Sequence, residues 1–589
     1  MSTWMVAAKR ADFDAIAARY GISPVTARLL RNRELRTEEE IGRFLSTDLS
    51  ALHAAQLLPD AERCAGILSE RIREGRKIRV VGDYDVDGVT ATALLLRGLR
   101  FLGADADYRI PHRIRDGYGI NDAIIDEAAS DGVHVILTCD NGISAAAQAL
   151  RAREKGMTIL ITDHHDIPFD EESGEAVLPE AEAVVNPKRA GDYPFPGICG
   201  AFVAYKVLTL VFEALGRTEE EAQKLLYELT LLAAVGTVCD VMELKDENRV
   251  LVKDALPRLK DTQIRGLKAL IGVTGLSGKD IGTYHLGFVL GPCINATGRL
   301  DTAARGVELL LTEDEGEALR LATELKELNE SRKNMTAVHV EEAKRMIGDH
   351  PDKVPVVYLP EAHESVAGIV AGRLKEAWHR PVIVMTRSED GVKGSGRSIP
   401  AYDMFRALSA VGDLFTRFGG HPMAAGLSMR TEEDIGLLRA RLNEACTLTE
   451  KDFEEVLHLD MELPPSYVTT ELIEEWKKVL EPYGNGNEKP LFAARDIRLL
   501  RARTLGKDGK VGKYTVQDAQ GRSHEMILFR EKEAFDAFLA EHFGREAAEA
   551  LYTGTGNPPD MKIKIAYYPD INEYRGQRSV QLVLEDYRI

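Results

Sequence analysis

The chain has 589 residues, too many for one hydrophobic core, so about three to five domains are expected. Its 44% apolar and 29% charged content is that of an ordinary soluble protein; no run reaches about 18 apolar residues and the N-terminus does not read as a signal peptide, which excludes a membrane role. A net charge of −19 has the wrong sign for a nucleic-acid partner, although local basic surface and cations held among carboxylates decide that question.

In chain order, residues 1–60 read as small helices. Phe13, Ile16, Ala17 and Tyr20 have helical spacing and Ser23-Pro24 opens another helix, which together suggest a helical cap on the next domain. From 61 to 245, β-branched apolar runs at Ile78–Val81, Val133–Cys139, Thr158–Thr162 and Ala183–Val185 alternate with helical segments. That alternation predicts a parallel sheet covered on both faces, with ligands beyond the C-terminal strand ends. Residues 246–347 read as a helical interdomain region with a glycine-rich interruption at Gly282–Gly298 and a long linking helix from Asp314. Strand-helix alternation resumes over 348–450 as a smaller α/β domain, with strands at Val354–Leu359, Pro381–Met385 and Ala424–Met429. Over 451–589, five short β-like segments and one helix suggest a small open barrel of the OB type. The six cysteines (64, 139, 199, 239, 293, 446) lack CxxC spacing, as expected of free buried thiols in a reducing cytoplasm.

Four polar clusters follow apolar runs: Asp83-Tyr84-Asp85-Val86-Asp87, Cys139-Asp140-Asn141-Gly142, Asp163-His164-His165 and Asp240. Their carboxylates and imidazoles are a ligand inventory for two divalent cations. If strand geometry persists past Gly82, Asp83, Asp85 and Asp87 point to one side and repel one another unless cations sit among them. Successive histidines point opposite ways, so one of the pair ligates while the other faces substrate. A carboxylate-rich set with few imidazoles suits Mn²⁺, or Mg²⁺, better than a structural zinc. A guanidinium reads a planar group of phosphate oxygens, and Arg397 with Ser395 and Ser398 in Gly394–Ser398 is the first choice for one, the small residues leaving backbone N–H groups to cup the phosphate. Arg299, His363, His421, His112 and Arg113 are further candidates for substrate contact. Tyr514, Phe529, Tyr567, Tyr568 and Tyr574 are candidate stacking platforms in the barrel.

These blocks resemble the four signature motifs of the DHH phosphoesterase superfamily, and most closely its bacterial RecJ branch of single-strand-specific 5′→3′ DNA exonucleases. Pro111-His112-Arg113, Asp116–Gly119, Gly298-Arg299-Leu300, Gly368–Ala371, Ser395–Ser398, Gly419-Gly420-His421 and Tyr483-Gly484 through Phe492 agree with that branch. The resemblance implies a DHH catalytic domain, a DHHA1 substrate domain and an OB-like domain. It implies Asp85 and Asp140 on one ion with Asp83 nearby, and Asp87, Asp140, His164 and Asp240 on the other. His165 would then face the scissile phosphate and Asp163 would orient the imidazoles. A histidine that often stands four residues before the first ligating aspartate is Val81 here, and Asp83 compensates. Family similarity also implies single-strand-binding protein and a helicase as partners, a cytoplasmic monomer, and use in repair and recombination. The alternatives are a phosphodiesterase for short oligonucleotides or cyclic dinucleotides and a non-catalytic replication scaffold.

Overall fold

The computed structural model describes residues 2–113, 115–170, 173–348, 350–389, 391–506, 508–554 and 560–589. They form two compact units, Ser46–Phe453 and a second that joins the chain up to Leu45 with Glu454–Ile589.

The larger unit begins with a five-stranded parallel sheet: β1 (Ile78–Val81), β2 (Ala106–Arg109), β3 (Val135–Cys139), β4 (Thr158–Thr162) and β5 (Ala183–Val185), in the order β2-β1-β3-β4-β5. β1 and β3 are wholly buried, as β-branched runs should be in a sheet covered on both faces. β2 escapes the sequence reading because it is an edge strand, half-buried throughout, whose Ala-Asp-Tyr-Arg sequence has no apolar run. The strand order reverses between β1 and β3, and a crevice opens there at the C-terminal ends. Three helices bound it: α1 (Val86–Phe101), α2 (Gly200–Ala214) and α3 (Glu220–Cys239).

The glycine-rich stretch read as an interruption is helical. Thr283–Leu290 runs through a π-helical turn into α4 (Gly291–Leu300). Its glycines permit close packing: a Cβ on Gly291 would lie 2.5 Å from Cys239 Sγ, and one on Gly298 2.5 Å from the Tyr84 carbonyl. The expected linking helix is α5 (Glu315–Ile347), capped by Asp314, whose side chain accepts from the Glu317 N–H, and ended by Gly348 at φ 72°. At about 1.5 Å per residue, its 33 residues reach roughly 50 Å.

A mixed sheet follows in the order β9-β10-β8-β7-β6, with β6 (Val356–Tyr358), β7 (Val382–Ser388), β8 (Gly391–Arg397), β9 (Arg417–His421) and β10 (Ala424–Met429). Helix α6 (Glu364–Trp378) packs on β7 and β8. β8 and β9 were not anticipated, since glycine and cations fill them where β-branched residues were sought.

In the other unit, β11 (Met461–Glu462), helix α7 (Thr470–Leu480), β12 (Phe492–Leu505), β13 (Val511–Gln517), β14 (Ser523–Leu528), β15 (Lys562–Tyr574) and β16 (Gln577–Arg588) form the OB-like domain. Its five long strands run β12-β13-β14-β16-β15, and β15 also pairs with β12, so the barrel closes. Two helices, Lys532–Phe543 and Arg545–Thr553, precede β15 where one was expected. The N-terminal helices pack here: Val25, Leu29, Leu30, Ile41 and Phe44 share a core with Trp476 and Phe492, and Thr3–Val6 pairs in parallel with Val456–Leu459. The cap foreseen for the 61–245 domain thus belongs, up to Leu45, to the barrel unit. Of the candidate stacking rings, Tyr514 and Tyr567 are core residues, while Phe529 and Tyr574 are exposed and Tyr568 lies under the Lys489 ammonium. All six cysteines are free thiols, five of them buried.

Candidate metal centre and the cavity beside it

Strand β1 ends at Val81, so Asp83, Asp85 and Asp87 do not share one strand face as the sequence reading expected. The chain turns sharply instead. Asp85 caps α1, accepting from the Gly88 N–H at 3.1 Å, and Asp87 lies in the first helical turn. The turn needs Gly88, because a Cβ there would sit 2.5 Å from the Asp83 carbonyl. Asp87 accepts from the N–H groups of Gly200 at 2.6 Å and Ala201 at 2.9 Å, which anchors a buried carboxylate on the N-terminus of α2. Asp140 follows β3 at φ 60°, a left-handed conformation. Its carbonyl accepts from the Tyr118 hydroxyl at 2.7 Å. Asp240 stands at the C-terminal end of α3, not at a helix N-cap.

The Asp-His-His run divides its work. Asp163 accepts from the His164 N–H (2.7 Å), from the His165 N–H (3.1 Å), at 2.7 Å from His165 Nδ1, and from the Ile143 N–H at 2.9 Å. Burial pushes its carboxyl up, but the His165 bond and charge outweigh burial and hold it below the ordinary value. Burial opposes the His165 cation, yet the Asp163 bond raises its pKa to about 9. His164 points into the crevice, with Nε2 3.1 Å from Asp140 Oδ1, 3.6 Å from Asp240 Oδ2 and 3.7 Å from Asp87 Oδ2. Burial lowers its pKa.

Three overlapping ligand groups result, with donor atoms within 4.8 Å of one another: Asp83, Asp85 and Asp140; Asp87, His164 and Asp240; and Asp140, His164 and His165. Burial, then the neighbouring carboxylates, drives Asp83 and Asp140 well above the carboxylate range, raises Asp85 and lifts Asp240 to about 8. Asp83 Oδ1, Asp140 Oδ1 and both His164 ring nitrogens are buried without a hydrogen bond. Orphaned acceptors facing each other amid mutually repelling acids are what oxygen-preferring divalent cations would satisfy, so the donor set fits two of them.

Two glycines at this centre were not singled out from the sequence, and Asn141 was read only as part of a polar cluster. A Cβ on Gly200 would meet Asp140 at 2.6 Å, and one on Gly236 would meet Asp87 Oδ1 at 2.5 Å. Asn141 donates to the Val81 and Cys139 carbonyls and accepts from the Ile120 N–H, tying the ends of β1 and β3 together. The two glycines' only signal was a glycine inside an otherwise apolar run.

Alongside lies a cavity of about 540 Å³ whose lining includes Arg113, Arg299, Ser395 and Arg397. Arg299 donates to the Ser365 carbonyl at 2.7 Å; burial, then Arg113, Arg332 and Arg397, lowers its pKa to about 9. Arg397 donates to Ser395 Oγ at 3.1 Å and to the Gly396 carbonyl at 2.8 Å, and Arg113 lies 3.9 Å over the Tyr84 ring. No carboxylate pairs with Arg113, Arg299 or Arg397 among the described residues. The Gly394–Ser398 block is not a turn with free N–H groups. β8 lies between β7 and β10, and the ladders on both sides consume its backbone donors. Ser398 is buried and donates to the Tyr402 carbonyl at 2.6 Å. His363 caps α6, His421 is exposed on the edge strand and the His112 N–H donates to Asp116 Oδ2; neither these three nor Ser398 lines the cavity.

Residues 77–237 match the family model of the DHH family N-terminal domain, 352–448 the DHHA1 domain and 459–586 the RecJ OB domain. The chain is 35% identical over 586 residues to the single-stranded-DNA-specific exonuclease RecJ of Escherichia coli, covering 96% of each. It is 35% identical to that of Bacillus subtilis, covering 96% of this chain and 68% of the relative. The crystal structure of RecJ in complex with Mn²⁺ from Thermus thermophilus superposes with a TM-score of 0.82 at 29% identity, over 100% of this chain and 79% of that one.

Proposed function

This chain belongs to the RecJ family of single-strand-specific DNA exonucleases, and we propose that it degrades single-stranded DNA from the 5′ end, one nucleotide at a time, with Mn²⁺ or Mg²⁺. The observation that carries this reading is the adjacency, within one unit, of a carboxylate-imidazole centre and a cavity of arginines without acidic partners. The first suits a scissile phosphate and the second a terminal one.

Asp83, Asp85 and Asp140 would hold one cation, and Asp87, Asp140, His164 and Asp240 the other. When bound, two such cations supply a water of lowered pKa and positive charge for the developing phosphoryl oxygens. Asp163 fixes His165 through Nδ1, and Nε2 lies 3.2 Å from the Tyr118 hydroxyl, a contact that a phosphoryl oxygen or the 3′-oxygen would replace when the cation hydrogen-bonds or protonates it. Arg397 and Arg299, with Arg113 and Ser395, hold the 5′-phosphate, and their pre-set bonds to Gly396 and Ser365 fix the guanidinium planes. The barrel unit feeds the strand, with exposed Phe529 and Tyr574 as stacking surfaces. The same reading makes the protein a cytoplasmic monomer acting in DNA repair and recombination beside single-strand-binding protein and a helicase. Among the described residues no helix is long and apolar enough to cross a membrane.

Long single strands labelled at either end, with a matched duplex, test the reading. A 5′ label should leave at once as a mononucleotide while a 3′ label shortens gradually. Early release of the 3′ label, or equal cutting of the duplex, would overturn it.

A further inference from the structure

The arginine-lined cavity is larger than the terminal phosphate assigned to it. At about 540 Å³ it matches sites for whole small molecules, whereas a phosphate has the bulk of a few waters at about 30 Å³ each. Strand register shows what fills the difference. Thr386, Lys393, Ser428 and Arg417 are paired across β7, β8, β10 and β9 and so form one row on a single face. Arg397 occupies the same face four residues along β8, about 13 Å away by strand rise. Between these ends lie Ser395, Gly426 and Gly419, paired in the same way. A Cβ on Gly419 or Gly426 would meet nothing within 4 Å, so the strip between the two cationic ends is bare peptide. Glycine inside a strand gives up packing and is found where a ligand approaches the backbone.

The far end is polar and incompletely satisfied. Thr386 is fully buried in the cavity wall and its hydroxyl has no hydrogen-bond partner. Lys393 stands 2.8 Å from Glu364, and Arg417 is exposed. Phe418 and Leu427 alternate with this strip and turn their side chains to the core on the other face of the sheet, so they meet the cavity only along the backbone. A flat strip for a ring, a carboxylate to accept from a sugar hydroxyl, and a second pair of cations with hydroxyls describe a nucleoside phosphate.

We propose that the cavity takes a nucleoside phosphate on the 5′ side of the phosphate anchored at Arg397, so that strands whose 5′-phosphate bears a nucleoside through a 5′,5′-pyrophosphate are also substrates. The inference rests on the exonuclease reading above. The bond cleaved is the ordinary one: water adds to phosphorus, the P–O3′ bond breaks, and the 3′-oxygen takes a proton. The released piece is the capped nucleotide with a 3′-hydroxyl, and the shortened strand carries a new 5′-phosphate.

The test uses 3′-labelled strands that are 5′-phosphorylated or 5′-adenylylated, with the full chain and its Gly419→Val variant. Valine suits an edge strand with open space above it, and filling the strip should cost the capped strand about tenfold or more relative to the uncapped one. The parent should release the capped nucleotide at a rate within about tenfold of the uncapped reaction, the span expected of a neighbouring-group effect of 1.4 kcal/mol. Dinucleotides among the first products of the uncapped strand would mean that the strand's own nucleotide fills this end of the cavity, and would overturn the proposal. A parent that stalls at the cap, or a variant with an unchanged capped-to-uncapped ratio, overturns the proposal. Calorimetric titration of both oligonucleotides into the chelator-treated full chain separates the failures. Binding of the phosphorylated end alone overturns only this inference, while binding and cleavage of neither overturn the exonuclease reading with it.

Discussion

In the parallel sheet, the central strands β1 and β3 are solid with apolar side chains, and the acidic residues begin one or two positions after each ends. In the mixed sheet, the cations and hydroxyls sit on the strands themselves, on β8 and β9 among glycines. The first arrangement gathers charges into a buried crevice where they repel one another; the second spreads them over an open face. One site is crowded and needs cations to be stable, and the other is roomy and needs anions.

The sharpest test of that contrast is Asp140→Asn. Asparagine tolerates the left-handed backbone at φ 60° and relieves repulsion, so the fold should persist with an equal or higher melting temperature. Turnover at saturating Mn²⁺ should fall by about a thousandfold or more, equivalent to about 4 kcal/mol of transition-state stabilisation. Retention of activity within tenfold would remove Asp140 from the shared position. A second test adds one methyl group to each sheet region. Gly200→Ala places a carbon 2.6 Å from Asp140 and should cost about a hundredfold in rate and about 1–3 kcal/mol in stability. Gly419→Ala, with nothing within 4 Å, should change uncapped-strand cleavage little. Denaturant melts and initial rates compare the two, and equal penalties would erase the distinction between crowded and open sites.

Smaller effects are expected on the cationic side. Arg397→Ala should weaken binding of 5′-phosphorylated ends about ten- to a hundredfold, the worth of a charge-assisted hydrogen bond at about 1.5–3 kcal/mol. Strands with a 5′-hydroxyl should lose far less, and equal losses would mean that Arg397 does not read the terminal phosphate. The smallest effect is thermal. Asp83, Asp85, Asp140 and Asp240 hold their protons longer folded than unfolded, and Asp240 does so up to about 8. Their contribution is therefore complete below the unfolded carboxylate value of about 3.9 and is lost as pH rises through the folded values. The metal-free protein should melt a few degrees lower at pH 8 than at pH 5, and saturating Mn²⁺ should flatten that slope. Melting that is independent of pH without metal would contradict the mutual repulsion.

The contrast also explains what the sequence disclosed. Asp83, Asp140, His164 and Asp240 were legible because each closes an apolar run, and a strand end is a local signal. β8 and Arg417 were not, since glycine weakens the very pattern by which a strand is recognised. Gly200 and Gly236 matter through what faces them, Asp140 and Asp87, which lie far away in sequence. Ser398 looked like a phosphate contact by its neighbours, yet its hydroxyl is taken by Tyr402. The helices before Leu45 looked like a cover for whatever came next, and only long-range packing assigns Leu29, Leu30 and Phe44 to the barrel core.

That last assignment has a consequence for biosynthesis. Thr3–Val6 pairs with Val456–Leu459, so a segment made early belongs with one made more than 400 residues later, and Ser46–Phe453 lies between them. At about 5–20 residues per second, on the order of tens of seconds pass before the early helices meet their partners. During that interval Leu29, Leu30 and Phe44 have no barrel core to enter, while the inserted unit has its own cores and can fold on emergence. The metal centre and the cavity beside it are thus complete before the barrel unit, and the early helices are where a holding chaperone would be needed.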